Sequence, residues 1–352
     1  MTEPTTALEG YRVLAHGAGF VEGPVAQGDF VDFVSINRGL VYRARLDGAC
    51  CTVRAEVGGG PNGAAADARG RLWIVQNAAR AMETTSGRPA EPGVQVVDVD
   101  ATIRAPLARH DLRAPNDCAF GPDGRLWFTD PYGRLMPDPP GDPQRAGGHG
   151  RVWAWHPESG DLELVAEHLP YPNGLCFTAG GDLLYVSDTR DQTIVAFEVG
   201  GAGVRPGREI ARLPQGRPDG MAFDAEGSLW VAATSADGLG VLASSGTWEY
   251  VALGPSYPTN LCFAGPGLAT LVITAARGGR VLARRNPVPG LPLAAPDLSD
   301  GLKNSDDRVI QGQSAKPEVR CGHVPPPKVG RDDDIPVLAT EAQVGRGVEN
   351  HP

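Results

Sequence analysis

One phrase recurs along the chain, and its period restricts the fold more than any other feature. Residues 115–131 read PNDCAFGPDGRLWFTDP: a punctuating Pro-Asn-Asp, an apolar run, a Pro-Asp-Gly turn and a second run that is aromatic and β-prone. Close copies begin at Pro61 (PNGAAADARGRLWIVQN), Pro172 (PNGLCFTAGGDLLYVSDT) and Pro218 (PDGMAFDAEGSLWVAATS). Looser ones begin at Val21 (VEGPVAQGDFVDFVSIN) and Pro258 (PTNLCFAGPGLATLVIT). Aligned on the second residue, the six copies carry Glu22, Asn62, Asn116, Asn173, Asp219 and Thr259, at successive spacings of 40, 54, 57, 46 and 40 residues. A period of roughly 40 to 50 residues with two or more strands per unit is the signature of a β-propeller blade.

The expected architecture is therefore all-β: a six-bladed β-propeller of four-stranded blades over residues 10–285, followed by an irregular Pro-rich tail, extended or disordered, over 286–352. After Pro258 only three strands can be read (260–263, 270–274 and 280–283), while the β-like run 11–16 belongs to no blade. That N-terminal run is expected to supply the missing strand and close the ring, leaving no open sheet edge. Blade three carries the longest insertion, 132–149 (YGRLMPDPPGDPQRAGGH), too rich in Pro and Gly for regular structure and expected as a lid or pocket wall beside the ring's mouth.

Composition narrows the function classes. The 47 glycines and 32 prolines suit many short strands joined by tight turns. A net charge of −10, with no run of Lys or Arg, argues against a nucleic-acid surface. No apolar stretch approaches the ~18 residues of a membrane span, and the N-terminus has neither the basic nor the apolar segment of a secretory signal. The six cysteines show no metal-type spacing: Cys50 and Cys51 are adjacent and Cys321 lies in the tail. Cys118, Cys176 and Cys262 fall at equivalent places in three copies and read as small buried hydrophobes, so a reducing cytoplasm is the expected compartment.

The innermost strand of a blade runs beside the central channel, and its first residue can point into it. Here that position offers two carboxylates (Glu22, Asp219), three amides (Asn62, Asn116, Asn173) and one hydroxyl (Thr259), with no His or Cys. An all-oxygen set with two negative charges suits a hard divalent cation, Ca²⁺ first and Mg²⁺ or Mn²⁺ next. Turn chemistry explains any single Pro-Asn-Gly, but not Glu22, because Glu is a poor turn former. Among the histidines, His149 could reach the mouth, whereas His16, His110, His156 and His168 fall on outer strands or turns. Asp130 and Asp188 end second strands and read as hydrogen-bonders rather than catalysts.

At these residues the chain resembles the senescence marker protein / gluconolactonase / luciferin-regenerating enzyme family of six-bladed propellers. The phrases EGP at Glu22, APNDCAFGPDGRLWFTDPYG from Ala114, PNGLCF at Asn173 and PDGMAFD at Asp219 carry the resemblance, which covers about 11–285. It implies one metal ion at the channel mouth, usually Ca²⁺ with Mg²⁺, Mn²⁺ or Zn²⁺ as substitutes, held by Glu22, Asn116, Asn173 and Asp219. It also implies Asp219 as candidate general base, Asn62 and Thr259 nearer the substrate, and Asp117 as a carboxylate behind the ligands. Asn62, Asp117, Thr259 and His149 are thus the candidate substrate-binding residues. Two departures stand out: Ala114 where sugar lactonases often carry arginine, and Cys262 where the similar diisopropyl fluorophosphatase carries histidine.

The expected activity is metal-dependent hydrolysis of a small-molecule lactone, with the ion polarising the carbonyl and Asp219 taking a proton from the attacking water. A phosphotriesterase or other esterase at the same ion, or a non-catalytic propeller presenting loops to partners, are the alternatives.

Overall fold

The computed structural model describes residues 10–132, 149–200 and 203–299 and the backbone of 309–310. Six antiparallel sheets follow one another around a ring, with almost no helix. Blade one comprises Val21–Gln27, Phe30–Ser35, Leu40–Arg45 and Cys51–Glu56, and the other blades repeat this meander. The second strands Leu72–Gln76, Leu126–Asp130 and Leu229–Ala233 are buried at every position, because each is pressed between two neighbouring blades; hence each opens on an apolar run of three or more residues without polar alternation. The outermost strands, such as Leu162–Leu169, are half exposed.

The ring closes as expected. Arg12–Ala15 pairs with Arg280–Arg285, setting Arg12 opposite Ala283 and Val13 opposite Leu282, and completes blade six. Leu14 and Ala15 bury against Phe33, Val272 and Val281, so the closing strand joins blades one and six in one core. Cys118, Cys176 and Cys262 all lie in buried clusters.

The inner strands all begin at one face of the ring and turn at the other. At their starts five of the six break register with the second strand. In blade one, Glu22 pairs with Val34 but Val25 with Asp32; in blade two, Pro61 pairs with Gln76 but Ala64 with Ile74. The same slip follows Pro172, Pro218 and Pro258. Each is one extra residue, a bulge that re-aims the side chains beside it, and it falls on the oxygen-bearing positions.

Of the insertion, residues 133–148 lie outside the described residues, as do 300–308 and 311–352 of the tail. The start of the tail runs along the face opposite the mouth. Leu291 donates its N–H to Phe223 O at 3.0 Å, Ala68 N–H reaches Pro296 O at 3.1 Å, and Leu298 buries beside Trp73 and Trp155. Val309–Ile310 then pairs with the outer strand of blade two. No helix among the described residues is long and apolar enough to cross a membrane.

Candidate functional site at the channel mouth

Glu22, Asn62, Asn116, Asn173 and Thr259 are all buried at the starts of inner strands, and Asp219 is half-buried in the same position. The glycines after them let adjacent blades converge. A Cβ on Gly23 would lie 2.6 Å from Asn62 O, and one on Gly174 would lie 2.4 Å from Asp219 O. In blades three and six this place holds a side chain instead of glycine: Asp117 and Asn260.

Those two side chains fill the space that the opposing glycines leave. A Cβ on Gly63 would come within 2.2 Å of Asp117 Oδ1, and one on Gly220 within 2.0 Å of the Asn260 amide. Asn260 donates its amide N–H to Glu22 Oε2 at 3.0 Å and to Asp117 Oδ2 at 3.3 Å, so blades one, three and six meet on one side chain. The carboxylates are aimed by their own backbone: Gly23 N–H donates to Glu22 at 2.7 Å, Cys118 N–H to Asp117 at 2.8 Å, and Gly220 N–H to Asp219. Leu261 N–H likewise fixes Asn260 Oδ1 at 2.8 Å.

The ring is braced from behind. Thr129 Oγ1 donates to Asn173 O at 2.7 Å, and Ser187 Oγ to Asp219 O at 2.8 Å, each hydroxyl gripping the next blade's inner strand. Asn173 donates to Thr189 Oγ1 at 2.9 Å and is also hydrogen-bonded to Asp219. The Asn116 side chain is hydrogen-bonded to the buried Tyr171 hydroxyl.

The electrostatics are one-sided. None of Glu22, Asp117 and Asp219 takes part in an ion pair among the described residues. Burial, reinforced by the charge of Asp117, pushes Glu22 up to about 8. Burial pushes Asp117 up to about 6, against the hydrogen bonds that favour its charged form. Asp219 is driven well above the usual carboxylate range by burial and by both other acids. No three His, Cys, Asp or Glu side chains among the described residues make a metal-holding group by themselves, so an ion at the mouth needs amide oxygens as well. An all-oxygen set with three acids and no basic partner fits a hard divalent cation.

Two expected substrate contacts are placed differently from the rest. Thr259 is fully buried, its hydroxyl donating to Val21 O at 2.8 Å and meeting Thr274 Oγ1 at 2.9 Å; it ties blade six to blade one. His149 is half-buried at the root of the insertion, its ring 6.0 Å from that of Tyr132. Asp130 and Asp188 serve as hydrogen-bonders: Asp130 accepts from the N–H groups of Arg113 and Ala114 and the Trp153 indole, Asp188 from Tyr171, Arg190 and Asp191. Asn260 is the residue that sequence reasoning did not single out. Its signal lay in the column after the aligned one, where four copies have glycine and only Asp117 and Asn260 do not.

Residues 20–277 match the family described as the SMP-30/Gluconolactonase/LRE-like region. A 6-deoxy-6-sulfogluconolactonase of Pseudomonas putida is 32% identical over 53% of the chain, and a gluconolactonase of Zymomonas mobilis 29% identical over 61%. The matches span 64% and 61% of those two relatives' own lengths. The solved structure of a gluconolactonase from Xanthomonas campestris superposes with a TM-score of 0.64 at 26% identity, covering 80% of this chain and 89% of that one.

Proposed function

The chain belongs to the SMP-30/gluconolactonase/LRE-like family, and from that membership and the chemistry of its channel we propose that it is a divalent-metal-dependent lactonase, hydrolysing a small cyclic ester. One observation carries the reading: Glu22, Asp117 and Asp219 converge without a basic partner, an arrangement that burial and mutual repulsion make unfavourable until a cation shares it. Similarity to two lactonases and a gluconolactonase structure supports the reaction class.

Glu22, Asn116, Asn173 and Asp219 would hold the ion, with Ca²⁺ the first expectation for an all-oxygen set. A bound divalent cation supplies polarisation of an ester carbonyl and compensates the charge that builds on its oxygen. The protein's own groups do the rest. Asp219, half-buried where Glu22 and Asp117 are covered, takes the proton of the attacking water. Asn173 orients that carboxylate through its hydrogen bond. As the ring ester C–O bond breaks, the same proton passes to the leaving alkoxide, giving the hydroxy acid. Asn260 holds Glu22 and Asp117 in place, and Asn62 lies on the substrate side.

The test is a panel of γ- and δ-lactones and a fluorophosphate, each with Ca²⁺, Mn²⁺ or chelator. Turnover of lactones that chelator abolishes and Ca²⁺ restores is the expected result. Lactone hydrolysis indifferent to chelator overturns the metal role, and a fluorophosphate as the sole substrate overturns the lactone.

A further inference from the structure

A second cluster stands at the mouth end of blade three, apart from the channel carboxylates. Arg113 lies in the loop leading to Asn116, Tyr132 follows the strand Leu126–Asp130, and His149 and Arg151 lie where Gly150–Trp155 begins. Second strands end at the mouth and third strands start there, so these side chains share one region. The Arg113 guanidinium sits 5.5 Å over the Tyr132 ring, which is 6.0 Å from that of His149; the Arg151 guanidinium sits 5.7 Å over Trp153. Asp130 joins them, accepting the Arg113 backbone N–H at 2.9 Å and the Trp153 indole at 3.2 Å and lying opposite Arg151 in the sheet.

What distinguishes the cluster is unused donor capacity. Arg113 Nη1, Arg151 Nε and His149 Nε2 are each buried without a hydrogen-bond partner. Neither arginine forms an ion pair among the described residues: Asp130 is committed to backbone and indole donors, and Glu167 near Arg113 and Asp111 near Arg151 act only through their charge. The two guanidinium groups are close enough for the charge of Arg151 to bear on Arg113. Buried donors left unpaired are costly, and like charges held together add to the cost. The aromatic rings beside the guanidinium groups offer them no oxygen acceptor, so the free N–H donors remain available to an oxyanion, the partner a guanidinium matches best.

We infer that Arg113 and Arg151, with His149 beside them, form an anion-recognition subsite that binds a carboxylate, phosphate or sulfonate group carried by the substrate, away from the ester that reacts in the channel. This rests on the lactonase reading and narrows its substrate class to anionic lactones. Selectivity then comes from blade three, and catalysis from the ring of inner-strand starts.

The experiment uses the full chain with Ca²⁺ and two lactones of the same ring, one bearing a carboxylate and the other the matching carboxamide. Wild type is expected to prefer the charged lactone. Arg113→Gln and Arg151→Gln each raise its KM, and the double variant loses about 10- to 100-fold in kcat/KM, while the carboxamide changes less than about twofold. Added salt erodes the wild-type preference. Equal losses on both lactones, or no wild-type preference, overturn the inference. Calorimetric titration with inorganic phosphate and with methanesulfonate provides a readout independent of turnover. Binding by wild type that the double variant loses supports the subsite; binding unchanged in the double variant, or absent from wild type, overturns it. If neither lactone is hydrolysed but anions still bind through the two arginines, the subsite stands and the lactonase reading falls.

Discussion

Asp219 and Asp224 stand five residues apart on either end of one inner strand of blade five, in opposite company. Asp224, at the far face, is saturated: it accepts the N–H groups of Glu226 at 3.0 Å and Ser228 at 2.9 Å and the Trp230 indole at 2.9 Å. Asp67 repeats this in blade two with the N–H groups of Arg69 and Arg71, the Trp73 indole at 2.9 Å and the Arg71 guanidinium at 2.6 Å. At the mouth, Asp219 has its own following N–H and an amide, and the further company it keeps is two more acids. A carboxylate whose lone pairs are filled by donors closes a hairpin. One placed beside its own kind without counter-charge works against the fold, which is the cost that the proposed cation would relieve. Asp224 is the more buried of the two, so it is the partners, not the burial, that leave Asp219 short of donors.

The largest effects should dissociate the two ends. Asp219→Asn is expected to lower kcat by about 10²- to 10⁴-fold, while the metal-free protein melts at the same temperature or higher because a repelled charge has gone. Asp224→Ala should do the reverse. It strands the Trp230 indole and two backbone N–H groups, costs about 1–3 kcal/mol, and leaves kcat of the folded enzyme near wild type. Thermal melts beside steady-state kinetics decide the matter; a melting temperature lowered equally by both substitutions breaks the comparison.

Metal addition gives the next effect. Calcium at 100 times its Kd should stabilise the protein by about 2.7 kcal/mol, a shift that Glu22→Gln erases and Asp67→Asn retains. Scanning fluorimetry with and without chelator measures both, and a calcium shift that survives Glu22→Gln places the ion elsewhere.

The pH dependence follows from the same charges. Glu22 and Asp117 are raised in the folded state, to about 8 and about 6, above the ~4 of an unfolded carboxylate. A raised carboxylate contributes stability that is complete below its unfolded pKa and is lost as pH rises through the folded one. Metal-free protein should therefore weaken between pH 4 and pH 8, while calcium affinity climbs over the same span as binding displaces protons. Urea midpoints taken in chelator at several pH values test the sign; rising stability across that interval contradicts it.

Much of this was legible in the sequence because a propeller writes its plan repeatedly. The second strands announced themselves by their aromatic and β-prone cores, and counting strands in blade six led to the closure by Arg12–Ala15. Outer strands such as Arg208–Arg212 and Trp248–Ala252 escaped notice, since half-exposed strands on the rim keep no alternation to read. The site was legible as a column of oxygens but not as a packing problem. Glycine after four of the six aligned positions reads as turn chemistry; only the fold reveals that Gly63 and Gly220 vacate space for Asp117 and Asn260. Nor does a sequence say which way a hydroxyl faces, and Thr259 turns its own to the Val21 carbonyl.

The smallest effect sharpens what the far-face acids do. In blade three the position of Asp67 and Asp224 is held by Gly121, and the acid of that turn is Asp123, two residues later; its side chain also meets a tryptophan, Trp127, but at 3.4 Å. It is 35% exposed, and its shortest bond is to the Arg125 guanidinium at 2.6 Å, near the surface. Water can replace much of what Asp123 supplies, and an exposed ion pair is worth little. The turn keeps its backbone bonds from Gly121 N–H to Arg125 O and from Gly124 N–H to Gly121 O without it. Trp127 stays fully buried against Phe177, its ring plane covered by Arg125. Asp123→Ala is thus expected to cost no more than about 1 kcal/mol, some 2–4 °C in melting temperature, clearly less than Asp224→Ala. Equal costs at the two turns would mean that the acid–indole contact itself, rather than its isolation from water, fastens these hairpins.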